Sequence, residues 1–199
     1  MKKVLLFTLA LVATGLLQAQ EKFEVRASAK AGYYFLKNEH NNPYYPESAF
    51  SPGAGVSLSC YLLPKTSVSL GVEGNYLSPE MIDFRDNNLN VRWHSLNIPL
   101  NIEQIIAHNF FLSGGATLVR QLEGYWDSPI TGLHPQKIPE YHWQAGGGYN
   151  FGKWRLSLNY ARGFNTIEKK IKTSNNSYFG VDVQHQEIYL KVEYPLWKF

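Results

Sequence analysis

Ser95-Leu96-Asn97-Ile98-Pro99-Leu100-Asn101-Ile102 alternates polar and apolar residues, with Leu96, Ile98, Leu100 and Ile102 sharing one parity. Successive side chains of an extended chain point to opposite faces, so the stretch reads as a strand with one apolar and one polar side. Pro99 lacks a ladder donor and suits edges or bulges, but the alternation continues on both sides of it.

Working outward, the same period recurs along the chain. Upstream, Phe23, Val25, Ala27, Ala29, Ala31, Tyr33 and Phe35 oppose Glu24, Arg26, Ser28 and Lys30. Val56, Leu58, Cys60 and Leu62 then oppose Ser57, Ser59 and Tyr61, and Val68, Leu70 and Val72 oppose Ser67, Ser69 and Glu73. Downstream, a fifth segment from about Phe110 to Leu122 sets Leu112, Ala116 and Leu118 against Ser113, Thr117 and Gln121. A sixth sets Tyr141, Trp143, Ala145, Tyr149 and Phe151 against His142, Gln144, Gly146, Gly148 and Asn150, and a seventh sets Leu156, Leu158 and Tyr160 against Arg155, Ser157 and Asn159. The last begins near Tyr178 and carries Ile188, Leu190, Val192 and Tyr194 opposite Tyr189, Lys191 and Glu193. Val181 and Val183 have the other parity, which predicts a bulge before Ile188, and Pro195 predicts a second before Trp197 and Phe199.

Lys2 and Lys3 precede an apolar run from Val4 to Val12, and Leu17-Gln18-Ala19 supplies a signal-peptidase site. Residues 1–19 therefore read as a secretory leader, with the mature domain at 20–199, because the apolar run is shorter than the roughly 20 residues of a spanning helix. The one cysteine, Cys60, allows neither an intramolecular disulfide nor lipidation near the cleavage site, and its parity directs it to the apolar face. Removing the leader takes two of the 19 Lys+Arg and none of the 16 Asp+Glu, so the formal charge falls from +3 to 17 − 16 = +1. That removes the main support for nucleic-acid binding.

Aromatics are abundant, at 15% of residues, and no later segment is long and apolar enough for a membrane helix. Strands cross a bilayer only as a closed barrel, since lipid cannot satisfy an open edge. Short connections near Pro64, Ala107 and Gly152 alternate with long polar ones near residues 37–50, 78–91, 123–140 and 165–180. Three short turns and four long loops match an all-β, eight-stranded antiparallel up-and-down transmembrane β-barrel with both termini in the periplasm. Tyr33, Phe35, Trp93, Tyr141 and Trp143 fall at the outer strand ends, and Tyr149, Phe151, Trp154, Trp197 and Phe199 at the inner ends, as interfacial girdles require.

Leu96-Asn97-Ile98-Pro99-Leu100 resembles the "L-x-I-P-L" strand of the PorT-like outer-membrane barrel family, and Ala145-Gly146-Gly147-Gly148-Tyr149 resembles its glycine-rich sixth strand. Tyr160-Ala161-Arg162-Gly163-Phe164-Asn165-Thr166-Ile167 is similar to the family's "Y-x-x-G-L-x-x-I" ending, with Phe164 in place of leucine. The resemblance spans the mature chain and implies a barrel without a shared catalytic site, some relatives being linked to protein secretion. Phe199 looks like the C-terminal aromatic read by the barrel-assembly machinery.

Eight strands leave an interior that side chains fill. Arg26, Lys30, Glu73, Glu103, Arg155, Lys191 and Glu193 are the candidates for a mixed-charge network there. A lipid hydrolase is the enzymatic alternative, with His142 beside Ser113 or Ser157 as base and nucleophile. His40, His94, His134 and His185 show no tight metal-ligand spacing, and Gly146-Gly147-Gly148 lies within a strand, so it reads as close packing and not as a phosphate loop. No cofactor or metal is expected. In the loops, Tyr44, Tyr45, Tyr125 and Trp126 combine contact area with nearby prolines and are the candidate recognition residues. Lys169, Lys170 and Lys172 are candidates for lipopolysaccharide phosphates, and Asp83 and Asp86 give a weak cation signal.

The sequence thus predicts a non-enzymatic outer-membrane barrel with a structural or surface-interaction role, including an accessory role in envelope transport or protein secretion. Its expected partners are outer-membrane lipid and lipopolysaccharide, with the assembly machinery engaged through Phe199. The competing readings are the lipid hydrolase, a narrow channel with a continuous polar lumen, and a soluble secreted β-sandwich with an apolar core.

Overall fold

The polar-apolar alternation forms strands throughout: β1 (Phe23–Asn38), β2 (Ser48–Leu63), β3 (Thr66–Leu77), β4 (Glu80–Ile82), β5 (Asn88–Ala107), β6 (Phe110–Asp127), β7 (Glu140–Phe151), β8 (Trp154–Gly163), β9 (Ile167–Lys172) and β10 (Tyr178–Lys198). The computed structural model describes residues 23–38, 48–77, 80–82, 88–127, 139–164, 167–172 and 178–199. The leader and Tyr44, Tyr45, Asp83 and Asp86 lie outside these residues.

Neighbouring strands pair antiparallel in the order β1-β2-β3-β5-β6-β7-β8-β10, and β1 pairs with β10 to close the ring. Closure leaves no exposed edge on the eight-stranded barrel, so its ladder is satisfied internally. Phe23 and Phe199 seal the seam at one end, exchanging backbone N–H···O bonds of 2.9 and 3.0 Å with their rings stacked. Among the described residues, β4 pairs only with β5, and β9 only with β10. β4 continues the β3 hairpin in register, since Leu77 faces Trp93 and Glu80 faces Asn90.

Three tight turns, at Pro64-Lys65, His108-Asn109 and Gly152-Lys153, lie at the end that holds both termini. Gly152 has φ 60°, which costs a residue without Cβ little, and His108 adopts φ 44° in the equivalent place. At the opposite end the strands run further than the alternation predicts. β6 stays paired with β5 through Arg92–Tyr125 and Val91–Trp126. Tyr125 and Trp126, expected on a loop, therefore belong to a strand extension. Lys169, Lys170 and Lys172 likewise belong to β9.

Pro99 sits within β5 without shifting its register: Leu70 faces Leu100 and Glu73 faces Asn97, with the bridge interrupted only between them. The bulge expected before Ile188 is absent, because β1 and β10 stay in step from Asn38–Val183 to Ala27–Tyr194. The register shifts at the other end, where Val25 faces Trp197 and Arg26 faces Pro195, so the bulge falls at Leu196. Val181 and Val183 consequently share the parity of His185 and Tyr189.

The polarity of the fold is inverted relative to a soluble protein. Val56, Leu70, Leu100, Leu112, Leu158 and Leu190 are exposed on the outer wall, while most of the buried side chains are charged or polar. This excludes the sandwich reading, which requires an apolar core. Aromatic clusters flank the apolar belt, with Trp154 against Tyr194 and Phe110 against Tyr149 near the turns. Tyr33 against Phe35 and Trp143 against Tyr160 lie towards the other end.

Inside, close approach explains the glycine run of β7. A Cβ on Gly148 would meet the Phe111 ring and the Leu156 carbonyl, whereas one on Gly147 would meet the flexible tip of Leu112 on the outside. Gly148→Val is expected to lower stability by about 1–3 kcal/mol through overpacking. Gly147→Ala is expected to cost less, and urea unfolding of the two variants in detergent provides the comparison.

Candidate functional site

The inward parity of eight strands concentrates ionisable groups in a space too narrow for bulk water, so each must find a partner. Near the turns, Glu103 Oε2 accepts from Arg26 Nη1 at 3.2 Å, Arg155 Nη1 at 2.8 Å and Ser67 Oγ at 3.2 Å. Arg26, only 2% exposed, also donates to Glu24 at 3.1 Å and to the Tyr61 hydroxyl at 2.7 Å, and that hydroxyl in turn donates to Glu24. The Arg155 guanidinium lies 4.1 Å from the Phe111 ring centroid, which combines charge pairing with a cation-π contact. Beneath this cluster a cavity of about 490 Å³ opens between the turns, with Lys65, Asn150 and Lys153 among its walls.

A second group lies deeper in the barrel. Lys191 Nζ reaches Glu73 at 2.7 Å and Glu193 at 3.3 Å. Lys30 donates to both oxygens of Glu187 at 3.0 Å and sits 4.6 Å from the Tyr189 ring centroid. All seven charged residues singled out from the sequence are buried in the interior. Six of them fall into two sets, Arg26–Glu103–Arg155 and Glu73–Lys191–Glu193, while the partner of Lys30 is Glu187. Glu187 has the inward parity of Tyr189 and Lys191, but the expected bulge obscured it. Glu24 was readable by parity beside Arg26.

A third group closes the interior towards the strand extensions. Glu140 and His142, two residues apart, share one face of β7, and His185 comes from β10 with β8 between them. His142 Nε2 lies 3.3 Å from Glu140 Oε2, and His185 Nδ1 bonds the same oxygen. Gln121 Nε2 donates to the other oxygen, Glu140 Oε1, at 3.2 Å. The Tyr34 ring centroid is 5.1 Å from that of His185. The three potential ligand atoms of Glu140, His142 and His185 lie within 4.8 Å of one another. The sequence signal was a Glu-x-His pair on an inward face. His185 had no local spacing to announce it.

The proposed hydrolase residues do not converge. Ser157 faces Gly148 and His142 faces Gly163, which separates them by six residues along the strands, about 20 Å at ~3.3 Å per residue. Ser113 faces Gly146, four residues or about 13 Å from His142. Ser157 accepts from Asn159 at 2.8 Å, while Ser113 donates to Asn159 at 3.5 Å.

This architecture is shared with solved outer-membrane barrels. Neisserial surface protein A (NspA) matches with a TM-score of 0.54 at 13% identity, covering 86% of this chain and 96% of that one. OprG from Pseudomonas aeruginosa matches at 0.55 and 12%, covering 90% and 96%, and AlkL at 0.53 and 9%, covering 89% and 92%. No family model and no curated protein matches the sequence. The likenesses are of fold, and they define the class of the chain as an eight-stranded antiparallel transmembrane β-barrel of the outer-membrane type.

Proposed function

We propose that the chain is an integral outer-membrane protein, exported by its leader, whose barrel is a sealed support for the strand extensions at the end away from the termini. The observation that carries this is the inversion of polarity: an apolar belt faces outward, and paired charges occupy the interior. Lipid explains the first, and a filled lumen explains the second. In this orientation the tight turns and termini are periplasmic, and the extension with Tyr125 and Trp126 meets the outside, at the end where the segment carrying Tyr44 and Tyr45 connects β1 to β2. Those aromatics, with Lys169, Lys170 and Lys172, are the candidates for contact with lipopolysaccharide or a protein partner.

The PorT-like motifs favour an accessory role in envelope transport or secretion over an enzymatic one, and the wide separation of His142 from Ser113 and Ser157 removes the specific basis of the hydrolase alternative. A narrow channel is disfavoured by the Arg26–Glu103–Arg155 and Lys191–Glu73 pairs across the lumen. The test is fractionation followed by electrophoresis with and without boiling. Recovery in the outer membrane with a heat-dependent shift in mobility is expected, and recovery as soluble protein without a shift would overturn the proposal. Proteoliposomes containing the barrel are expected to pass sugar-sized solutes no faster than empty vesicles. Swelling at porin-like rates would contradict a sealed interior.

A further inference from the structure

Glu140, His142 and His185, all buried, bring three potential metal-ligand atoms to within 4.8 Å of one another. Two imidazoles on different strands aim at a single carboxylate oxygen, Glu140 Oε2, while Gln121 holds the other oxygen. We propose that this cluster is a binding site for a divalent transition-metal ion, with zinc the best-suited probe, and that the bound ion pins β7 to β10 over the inner face of β8.

The donor set favours this class of ion. Two imidazole nitrogens and one carboxylate oxygen suit Zn²⁺ and its neighbours in the first transition row, whereas Mg²⁺ and Ca²⁺ prefer all-oxygen sites. With bonds of roughly 2.0–2.1 Å, the ligands of a tetrahedral zinc are about 3.3 Å apart. His142 Nε2 and Glu140 Oε2 already have that spacing, and all three ligand atoms fall within 4.8 Å. Zinc would therefore require His185 Nδ1 to draw back from Glu140 Oε2, which it contacts more closely than two zinc ligands do, while His142 Nε2 keeps its place. The fourth position would be left to water, as in zinc sites with three protein ligands.

Two independent features point the same way. Gln121 supports the carboxylate from behind, as outer-shell partners do in metal sites, and the Tyr34 ring restrains His185. Among the described residues, six glutamates but only four lysines and arginines are buried. A dication bound by neutral imidazoles would offset that excess of negative charge where it is least screened.

The full barrel, folded in detergent and stripped with a chelator, would be titrated with Zn²⁺ by calorimetry, with metal analysis after desalting. One zinc per chain is expected, and X-ray absorption should report two nitrogen ligands with the remainder oxygen and no sulfur. His142→Ala and His185→Ala should each weaken binding by at least about 100-fold, and Gln121→Ala by about 10-fold. His108→Ala, an exposed histidine at the turn end, should bind as the unchanged protein does. Heat-dependent mobility reports whether each variant folds. Should the alanine variants not fold, Glu140→Gln, which keeps the volume while removing the anionic ligand, decides by the same titration. Zinc content well below one per chain, or stoichiometric zinc unaltered by these ligand changes, would overturn the proposal and leave a metal-free hydrogen-bonded triad.

Discussion

Glu103→Ala is expected to lower the free energy of unfolding by about 3–5 kcal/mol, because it leaves two buried guanidinium groups short of their shared carboxylate. Arg155 at 2.8 Å and Arg26 at 3.2 Å both donate to Glu103 Oε2. Arg26 keeps Glu24 and Tyr61, so the larger share of the loss falls on Arg155, which among the described residues keeps the face of Phe111 but no carboxylate. Removing a partner costs more than the pair itself contributes, since a charge stays in the interior without its counterpart. Glu193→Gln should cost less, because Lys191 retains Glu73 at 2.7 Å. Lys198→Ala should cost about 0–1 kcal/mol, since its 3.7 Å pair with Glu24 is largely solvent-exposed on the lysine side. Urea titrations of the three variants in one detergent, followed by tryptophan fluorescence, give the ranking. Equal midpoints for Glu103→Ala and Lys198→Ala would show that the interior pairs are hydrated like surface ones.

The same contrast between dry wall and wet extension explains what the sequence disclosed. The eight barrel strands were legible because lipid on one side and a packed polar lumen on the other impose period two over each crossing. Leu96 to Ile102 is the clearest case. Beyond the apolar belt both faces of a strand can meet water, and nothing imposes the period. Val91 and Trp126 therefore pair in an extension where the pattern predicts loops. Val181 and Val183 misled for a related reason: their parity suggests a bulge, although β10 keeps one register with β1 from Val183 to Tyr194. Inward-facing charges were legible one strand at a time, but their pairing was not. Lys30 and Glu187 are 157 positions apart and meet because the barrel closes β1 onto β10, while His185 reaches Glu140 over the single strand β8 that separates β10 from β7.

Leu100→Arg separates a lipid-facing wall from a water-facing one by the sign of its effect. Leu100 is 51% exposed, lies between Leu70 on β3 and Ala116 on β6, and sits on the apolar belt between the aromatic clusters. On a soluble protein, exchanging a half-exposed leucine for arginine would be nearly neutral and would improve solubility. In a bilayer the charge costs roughly 2–4 kcal/mol near the midplane, falling to about 0–1 near the interfaces. The expected result is a loss of folded protein from the membrane fraction and a lower urea midpoint in lipid vesicles. Lys153→Ala, in the exposed turn, should leave both unchanged. The depth dependence adds a second criterion: Trp197→Arg, on the outer surface beside the seam at the turn end, should cost less than Leu100→Arg despite removing a larger side chain. The reverse order would place the belt in water, because burial in lipid is the one environment that penalises the arginine at Leu100 more than the loss of the tryptophan ring.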